Sequence, residues 1–552
     1  MENGEATGTG VEHTDRTGIH ARQCSYFPRD NVPSEDGTTR WGKYPDFRLR
    51  LWDLRVPVER KRFARTVTTD RRVTQRLPFS PVVKTWIAAT AAMLTFVALS
   101  GSASAFTKQD LTVTSFDGTP LATTLFLPDG AAPVGGWPAV VLFHGLGGDR
   151  SSTSAIAQSM GLVGERYVVL TVDARGHGAS GGLIGIDGPN EVRDVQTLFA
   201  WLAVRPDVAD AKIGAWGISL GGGAIWTSLV AGVPWAAVEV VESWTNLSSA
   251  LIPQGLAKSG VIAGFIGSLP AARVEPALFP TLDAAYAGTL GPARAFAVPR
   301  TTIQALKGRT TPVFLMQGRR DFAFGMGQAL QAYNALAGPK RLWLGLHGHA
   351  PSTFPGPDSG VMLAEGTQWF DRYLRGAVGT LDDSLPIAVA PENWSGKPTR
   401  FASPPKPVGQ VIRLAGSSSI TPSGKVQRTS PPLARPLEVF GAPVVTVRAD
   451  ANAGWTRIVA VLSALTPAGK DIIVAGGGMP TTPGAKSYRI YLSNQATFLP
   501  AGSKLTLTVG TSSLAQNPGN LLYLDLPLGP APKLTVGAVS LSIPTLAKPI
   551  SR

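Results

Sequence analysis

Two rhythms of apolar residues divide the chain. From Phe106 to about residue 380, continuous apolar runs alternate with stretches of helical spacing, whereas from Val439 onward only short strand-like runs remain. Residues 111–115 and 121–127 alternate around Phe116-Asp117-Gly118-Thr119, which predicts a β-hairpin. Residues 138–143 and 167–172 are continuous apolar runs, the mark of strands covered on both faces. Between residues 191 and 202, Val192, Val195, Leu198, Phe199 and Leu202 fall at helical spacing. A strand at 212–216 follows, and this β-α-β order implies a parallel sheet. Further strands are expected at 236–241, 312–316 and 341–345, and a helix at 364–374 closes the first domain.

Residues 243–300 show no strand alternation and are apolar with Gly/Pro punctuation. Two readings compete there, a small cap over the sheet's carboxyl edge or ordinary surface helices. Residues 381–436 are dense in Pro and Ser and read as a crossing segment of irregular structure. In 437–552, short runs at 444–447, 457–465, 472–475, 488–492, 504–509 and 521–526 are separated by turns such as Pro467-Ala468-Gly469-Lys470. They predict an all-β sandwich or jelly roll. The expected architecture is therefore an α/β domain over 106–380, with a mostly parallel sheet, flanking helices and a small cap, followed by a β-sandwich.

Composition changes this picture at the front of the chain. Residues 1–80 are polar, Arg-rich and aperiodic, and are expected to be disordered or to precede the natural start of translation near Val82 or Val83. Lys84 then precedes a short apolar core ending in Ala103-Ser104-Ala105, the pattern of a signal peptide over 81–105. Export to a periplasm or the exterior is expected, with membrane contact only if the leader stays uncleaved. Cys24 is the only cysteine. The exported chain would then have no disulfide, thiolate metal site or cysteine nucleophile. The formal charge of +14 is dispersed without a basic run or aromatic-basic interleaving, which argues against nucleic acid as a partner.

The chemistry gathers at Gly217-Ile218-Ser219-Leu220-Gly221, between the 212–216 strand and a helix. A G-x-S-x-G at such a turn is the nucleophile elbow of α/β-hydrolases, where the flanking positions must lack a bulky Cβ. His144-Gly145-Leu146-Gly147-Gly148 follows the 138–143 strand, where this fold draws one oxyanion-hole amide; Leu146 and Leu220 are the expected donors. His144 and His177 read as loop-shaping residues, and Asp173 and Arg175 are expected to pair across their turn. Asp321 leaves the 312–316 strand and His349 the 341–345 strand, giving the order Ser219, Asp321, His349. Glu242 is the runner-up acid and His347 the competing base. Together, a hydroxyl, an imidazole that takes its proton and a carboxylate that fixes the tautomer make a serine nucleophile competent. No metal or cofactor is called for.

The chain resembles the serine hydrolases grouped around Xaa-Pro dipeptidyl-peptidases and cocaine-esterase-like enzymes. The points of resemblance are Glu191-Val192-Arg193-Asp194 with Trp201-Leu202-Ala203 before the elbow, and Leu437-Glu438-Val439-Phe440-Gly441-Ala442-Pro443 opening the β-domain. The resemblance implies an α/β-hydrolase joined to a C-terminal jelly roll, acting on a small ester or short peptide. That family often carries a Tyr in the first loop and Ser-Tyr at the elbow, where this chain has Phe143-His144-Gly145 and Ser219-Leu220. The expected function is an exported serine hydrolase of carboxylesterase type working through an acyl-enzyme. An Xaa-Pro dipeptidyl-peptidase is the alternative, and a catalytically silent binding protein using the sandwich is the alternative of another class.

Overall fold

The computed structural model describes residues 106–551, apart from Glu165 and Thr380. The expected leader and Cys24 lie outside the described residues. The first sheet begins with β1 (Phe106–Thr114) and β2 (Pro120–Pro128), the hairpin that the alternation predicted. It continues through β3 (Trp137–Phe143), β4 (Val168–Val172), β5 (Val208–Ile218), β6 (Ala237–Val241), β7 (Val313–Gly318), β8 (Lys340–Gly345), β9 (Ile387–Val389) and β10 (Thr399–Phe401). The spatial order is β1-β2-β4-β3-β5-β6-β7-β8-β9-β10. Pairing is parallel from β4 to β9; β1-β2 and β2-β4 are antiparallel on one side and β9-β10 on the other. Both faces of this parallel core are covered, which is why β3 and β6 are buried almost throughout.

Helices α1 (Arg150–Ser159), α2 (Pro189–Ala203) and α3 (Leu220–Val230) provide the crossovers. Asp149 caps α1 by accepting the amides of Ser151 and Ser152. Residues 243–300 form four short helices, α4 (Leu247–Leu251), α5 (Ser259–Gly267), α6 (Leu278–Tyr286) and α7 (Gly291–Ala297), with 3₁₀ turns between α4 and α5, between α5 and α6, and after α7. The cap reading holds, because residues from all four helices line a cavity that opens on Ser219. α8 (Gly327–Ala335) and α9 (Ser359–Arg375) complete the domain.

The segment 381–436 is not irregular. It supplies β9 and β10 to the first sheet, then β11 (Val408–Leu414), β12 (Ser418–Ile420) and β13 (Val426–Pro432) to the second domain. Its prolines sit at strand ends and edges, where a missing N–H costs no ladder bond. The sandwich continues with β14 (Leu437–Gly441), β15 (Val444–Ala451), β16 (Arg457–Leu465), β17 (Asp471–Pro480), β18 (Gly484–Tyr491), β19 (Gln495–Leu499), β20 (Lys504–Gly510) and β21 (Leu534–Thr545). One sheet runs β18-β15-β21-β14-β19 with β11 and β12 also on β21; the other runs β13-β20-β16-β17. The apolar faces meet in a shared core that includes Val445, Leu462, Val474, Leu507 and Leu541.

Residues 521–526, expected as a strand, form a loop instead. Leu522 and Tyr523 are buried there against Phe322, Val459 and Val461. Their apolarity serves a contact between domains rather than a ladder. The sequence reading passed over β21, which occupies the middle of its sheet. Its alternation breaks once, at Gly537-Ala538, where the register with β15 shifts, while Val539, Leu541 and Ile543 alternate regularly with Ser540 and Ser542.

Candidate active site

The elbow is built by close packing. A Cβ on Gly217 would run into the Gly221 carbonyl, and one on Gly221 into the Phe143 carbonyl. Only glycine lets β5 turn this sharply into α3 against β3. Ser219 itself sits at φ 54° and ψ −112°, a strained conformation for a residue with a Cβ. The Ser219 amide donates to the Val241 carbonyl at 2.8 Å, and the Ser243 hydroxyl donates to the Ser219 carbonyl at 2.8 Å. The strain is thereby held from the neighbouring strand.

Ser219 Oγ lies 3.0 Å from His349 Nε2, and His349 Nδ1 lies 2.8 Å from Asp321 Oδ2. Asp321 is fully buried, and its other oxygen accepts the amides of Ala323 at 2.9 Å and Phe324 at 2.8 Å. Burial works against the Asp321 charge, but the facing His349 and these hydrogen bonds outweigh it and hold the carboxyl below its usual range. His349 is pulled both ways. Burial favours the neutral ring, while the charge and hydrogen bond of Asp321, with a smaller contribution from Glu242, raise its pKa above the ordinary 6.5. The edges of Phe324 and Phe265 flank the ring at centroid distances of 5.1 and 5.5 Å. These phenylalanines carry no pattern that marks them in the sequence. They meet His349 from a loop after β7 and from the cap.

It is His349, not His347, that meets Ser219. His347 is fully buried, with its ring nitrogens 3.8 Å from Glu242 and Asp358. Glu242 does not take the acid's place either, since the Nδ1 of His349 is occupied by Asp321. Leu146 and Leu220 both border the cavity beside Ser219, and a Cβ on Gly145 would stand 3.5 Å from the Ser219 Cβ. Among the described residues, Glu242, Asp321 and His349 are the set whose donor atoms could share an ion. Both ring nitrogens of His349 are already engaged, so the arrangement suits proton transfer rather than ligation.

The Asp173–Arg175 pair expected from sequence does not form. Asp173 pairs with Arg150 and accepts the Ala179 amide at 2.8 Å. Arg175 reaches Asp117 at 2.8 Å and Asp194 at 2.6 Å. Both partners of Arg175 come from other elements, which short-range reading cannot foresee. His144 is a loop-shaping residue as expected, its Nε2 accepting the Ala174 amide at 3.0 Å. His177 packs edge-on against it. A second cavity, bordered by Leu220 and Gly221 of α3, has a mixed lining that includes His177, Asp187 and Glu191 beside Phe143, Val195 and Leu198, and Ser219 does not border it.

Residues 117–351 match the family model of the X-Pro dipeptidyl-peptidases (S15 family). Over this stretch the chain is similar to the S15 family of serine hydrolases. The match runs from the β1–β2 turn to the loop that carries His349, so it includes all three residues of the hydrogen-bonded chain. No curated protein matches the hydrolase by sequence. Solved structures match it across both domains. A CocE/NonD family hydrolase from Staphylococcus aureus superposes with a TM-score of 0.60 at 15% identity, covering 80% of this chain and 94% of that one. An α-amino acid ester hydrolase gives 0.61 at 15% identity, covering 81% and 98%. An aminopeptidase from a marine sediment archaeon, Thaumarchaeota archaeon, gives 0.61 at 15% identity, covering 80% and 97%. These likenesses establish the fold, an α/β-hydrolase with a β-rich C-terminal domain.

Proposed function

We propose that the hydrolase is an exported carboxylesterase acting on esters with a short to medium apolar acyl group. The observation that carries this reading is the cavity over Ser219, which encloses about 90 Å³. Its walls include Leu146, Trp244, Leu251, Phe265, Leu282 and Phe296, and among the described residues no ionisable side chain lines it. An acyl chain gains free energy by burial there. A free α-ammonium would lose its hydration without gaining a carboxylate. Glu275 and Asp283, the acids of the cap segment, do not border the cavity.

In this reading Ser219 Oγ attacks the ester carbonyl carbon and passes its proton to His349 Nε2. The tetrahedral oxyanion is held by the amides of Leu146 and Leu220, a contribution of a few kcal/mol in comparable sites, about 2.7–4 for one donor. Asp321 holds the imidazole tautomer and stabilises the imidazolium. The alcohol leaves with the proton from His349. Water then repeats the cycle on the acyl-serine and releases the acid.

The S15 match favours a second reading, an Xaa-Pro dipeptidyl-peptidase. A single panel separates the two. kcat/KM on p-nitrophenyl acetate, butyrate and octanoate should exceed that on Gly-Pro and Ala-Pro p-nitroanilides. Faster cleavage of the anilides, lost in Glu275→Gln or Asp283→Asn, puts the peptidase first. Ser219→Ala should abolish fluorophosphonate labelling and lower turnover by several powers of ten, roughly 10⁴ or more. Continued labelling would discard Ser219 as nucleophile. Export through residues 81–105 predicts a native N-terminus just after Ala105, and N-terminal sequencing that finds a start before residue 80 removes it.

A further inference from the structure

Behind the three hydrogen-bonded residues lies a second set of buried ionisable groups that the reaction as drawn leaves idle. Glu242 follows directly on β6, with φ at 50°, a left-handed conformation uncommon for a residue with a Cβ. Its amide is tied to the Met316 carbonyl at 2.8 Å, so the turn is fixed by β7. The turn brings the carboxyl close to the catalytic pair. Glu242, Asp321 and His349 each offer an atom, and these atoms lie within 4.8 Å of one another. Glu242 is 2% exposed, and its Oε1 has no hydrogen-bond partner.

An unpartnered buried carboxyl is expensive, and an apolar side chain of similar size would fill the same space at lower cost. The surroundings give the carboxyl an electrostatic task instead. Two imidazoles and two other carboxyls face it. His347 and His349 come from the loop after β8, Asp321 from the loop after β7, and Asp358 from the start of α9. Glu242 Oε1 is 3.8 Å from His347 Nε2, and His347 Nδ1 is 3.8 Å from Asp358 Oδ1. Asp358 is anchored in turn by the Trp343 indole at 2.6 Å and the Leu346 amide at 3.0 Å. Lys258 of the cap stands on the far side of Asp321, its Nζ donating to the carbonyls of Phe322 at 2.9 Å and Ala323 at 3.1 Å.

We propose that Glu242 is an electrostatic positioning residue of the active site: it shares with Asp321 the stabilisation of the His349 imidazolium, and carries part of that duty when Asp321 is removed. The proposal rests on the Ser219–His349–Asp321 reading above. It differs from the ordinary triad in giving one imidazole two carboxylates, one hydrogen-bonded and one acting through space.

The arrangement has a definite consequence for pH. Burial pushes the Glu242 carboxyl up to about 7, against the pull of His347 and His349. It therefore changes charge in the same range in which His349 must become neutral to act as base. Ionised Glu242 favours the protonated ring, so removing its charge lowers the pH at which His349 loses its proton. The acid limb of kcat/KM consequently belongs to the pair rather than to His349 alone.

The test compares wild type, Glu242→Gln, Asp321→Asn and the double variant on p-nitrophenyl butyrate from about pH 5 to 9. Active sites are titrated with a fluorophosphonate, so that rates refer to folded enzyme even if a variant folds in lower yield. Glu242→Gln should move the acid limb down by about half a pH unit or more and lower kcat several-fold, with KM unchanged. Asp321→Asn should retain about tenfold more activity than the double variant, because the two carboxylates act on one ring. A Glu242→Gln profile that superimposes on wild type overturns the proposal, as does equal activity of Asp321→Asn and the double variant. Labelling that survives Ser219→Ala would bring down the underlying triad reading instead, so the two failures are separable.

Discussion

At the scale of single residues, two histidines two positions apart have opposite fates. His349 reaches Ser219 at 3.0 Å, while His347 is buried against Glu242, Asp358 and the Phe354 ring. His349→Ala should therefore cost about as much turnover as Ser219→Ala, since the three residues act as a unit. His347→Ala should cost far less; assays of both variants on one ester check the ranking, and the reverse order would move the base. The sign of the pH effect follows from Asp321. Its charge outweighs burial and holds the His349 pKa above the ordinary value, so activity is full above that pKa and is lost as pH falls through it. Asp321→Asn removes the main raising influence and should shift that limb to lower pH while reducing kcat.

At the scale of elements, the cap decides what reaches the serine. Helices α4 to α7 are short, and each contributes side chains to the lining of the cavity over Ser219. Ala293 on α7 is 7% exposed and borders the cavity. Ala293→Leu should narrow it and lower the octanoate-to-acetate ratio of kcat/KM by about tenfold, the scale expected for a hydrophobic pocket changed by a methylene or two. A ratio within a single preparation is insensitive to folding yield, and an unchanged ratio would place the acyl chain elsewhere. Elements also show where reading by pattern stops. The runs at 138–143 and 167–172 were legible because both sheet faces are buried, and their apolarity has no other cause. Residues 521–526 carry similar residues for another reason, docking of Leu522 and Tyr523 between domains. β21, broken in its alternation at Gly537-Ala538, was passed over although it pairs with four strands of its sheet.

At the scale of the whole molecule, the sandwich buttresses the loop that carries the acid. Gln495 Nε2 donates to the Asp321 carbonyl at 2.8 Å, the Ala496 amide to the Arg319 carbonyl at 2.8 Å, and the Met326 amide to the Asn494 carbonyl at 3.2 Å. Arg319, buried at the start of the same loop, is paired with Glu438 of β14. Arg320 donates to the Ile473 carbonyl at 2.9 Å. The loop after β7 is thus held along its length by β14, β17, β19 and Asn494 just before β19. Gln495→Ala removes one buried hydrogen bond worth about 1 kcal/mol, which should appear as a several-fold loss of kcat with KM unchanged. Equal kinetics in wild type and variant would show that the loop holds Asp321 without the sandwich.

The sequence by itself determined the local features: the elbow at Ser219, marked by its two flanking glycines, the order of Ser219, Asp321 and His349 after β5, β7 and β8, and the two fold classes. Each is written in spacing or periodicity along a short stretch. Tertiary structure alone brought His349 rather than His347 to Ser219, sent Arg175 to Asp117 and Asp194 rather than Asp173, and set Glu242 beside the imidazole. It also enclosed Ser219 in an apolar cavity drawn from four helices and placed Gln495 on a loop 174 residues away. These depend on which distant strands lie side by side. Buried charges take the partner nearest in space, and the chain between partners leaves no local periodicity to record that choice.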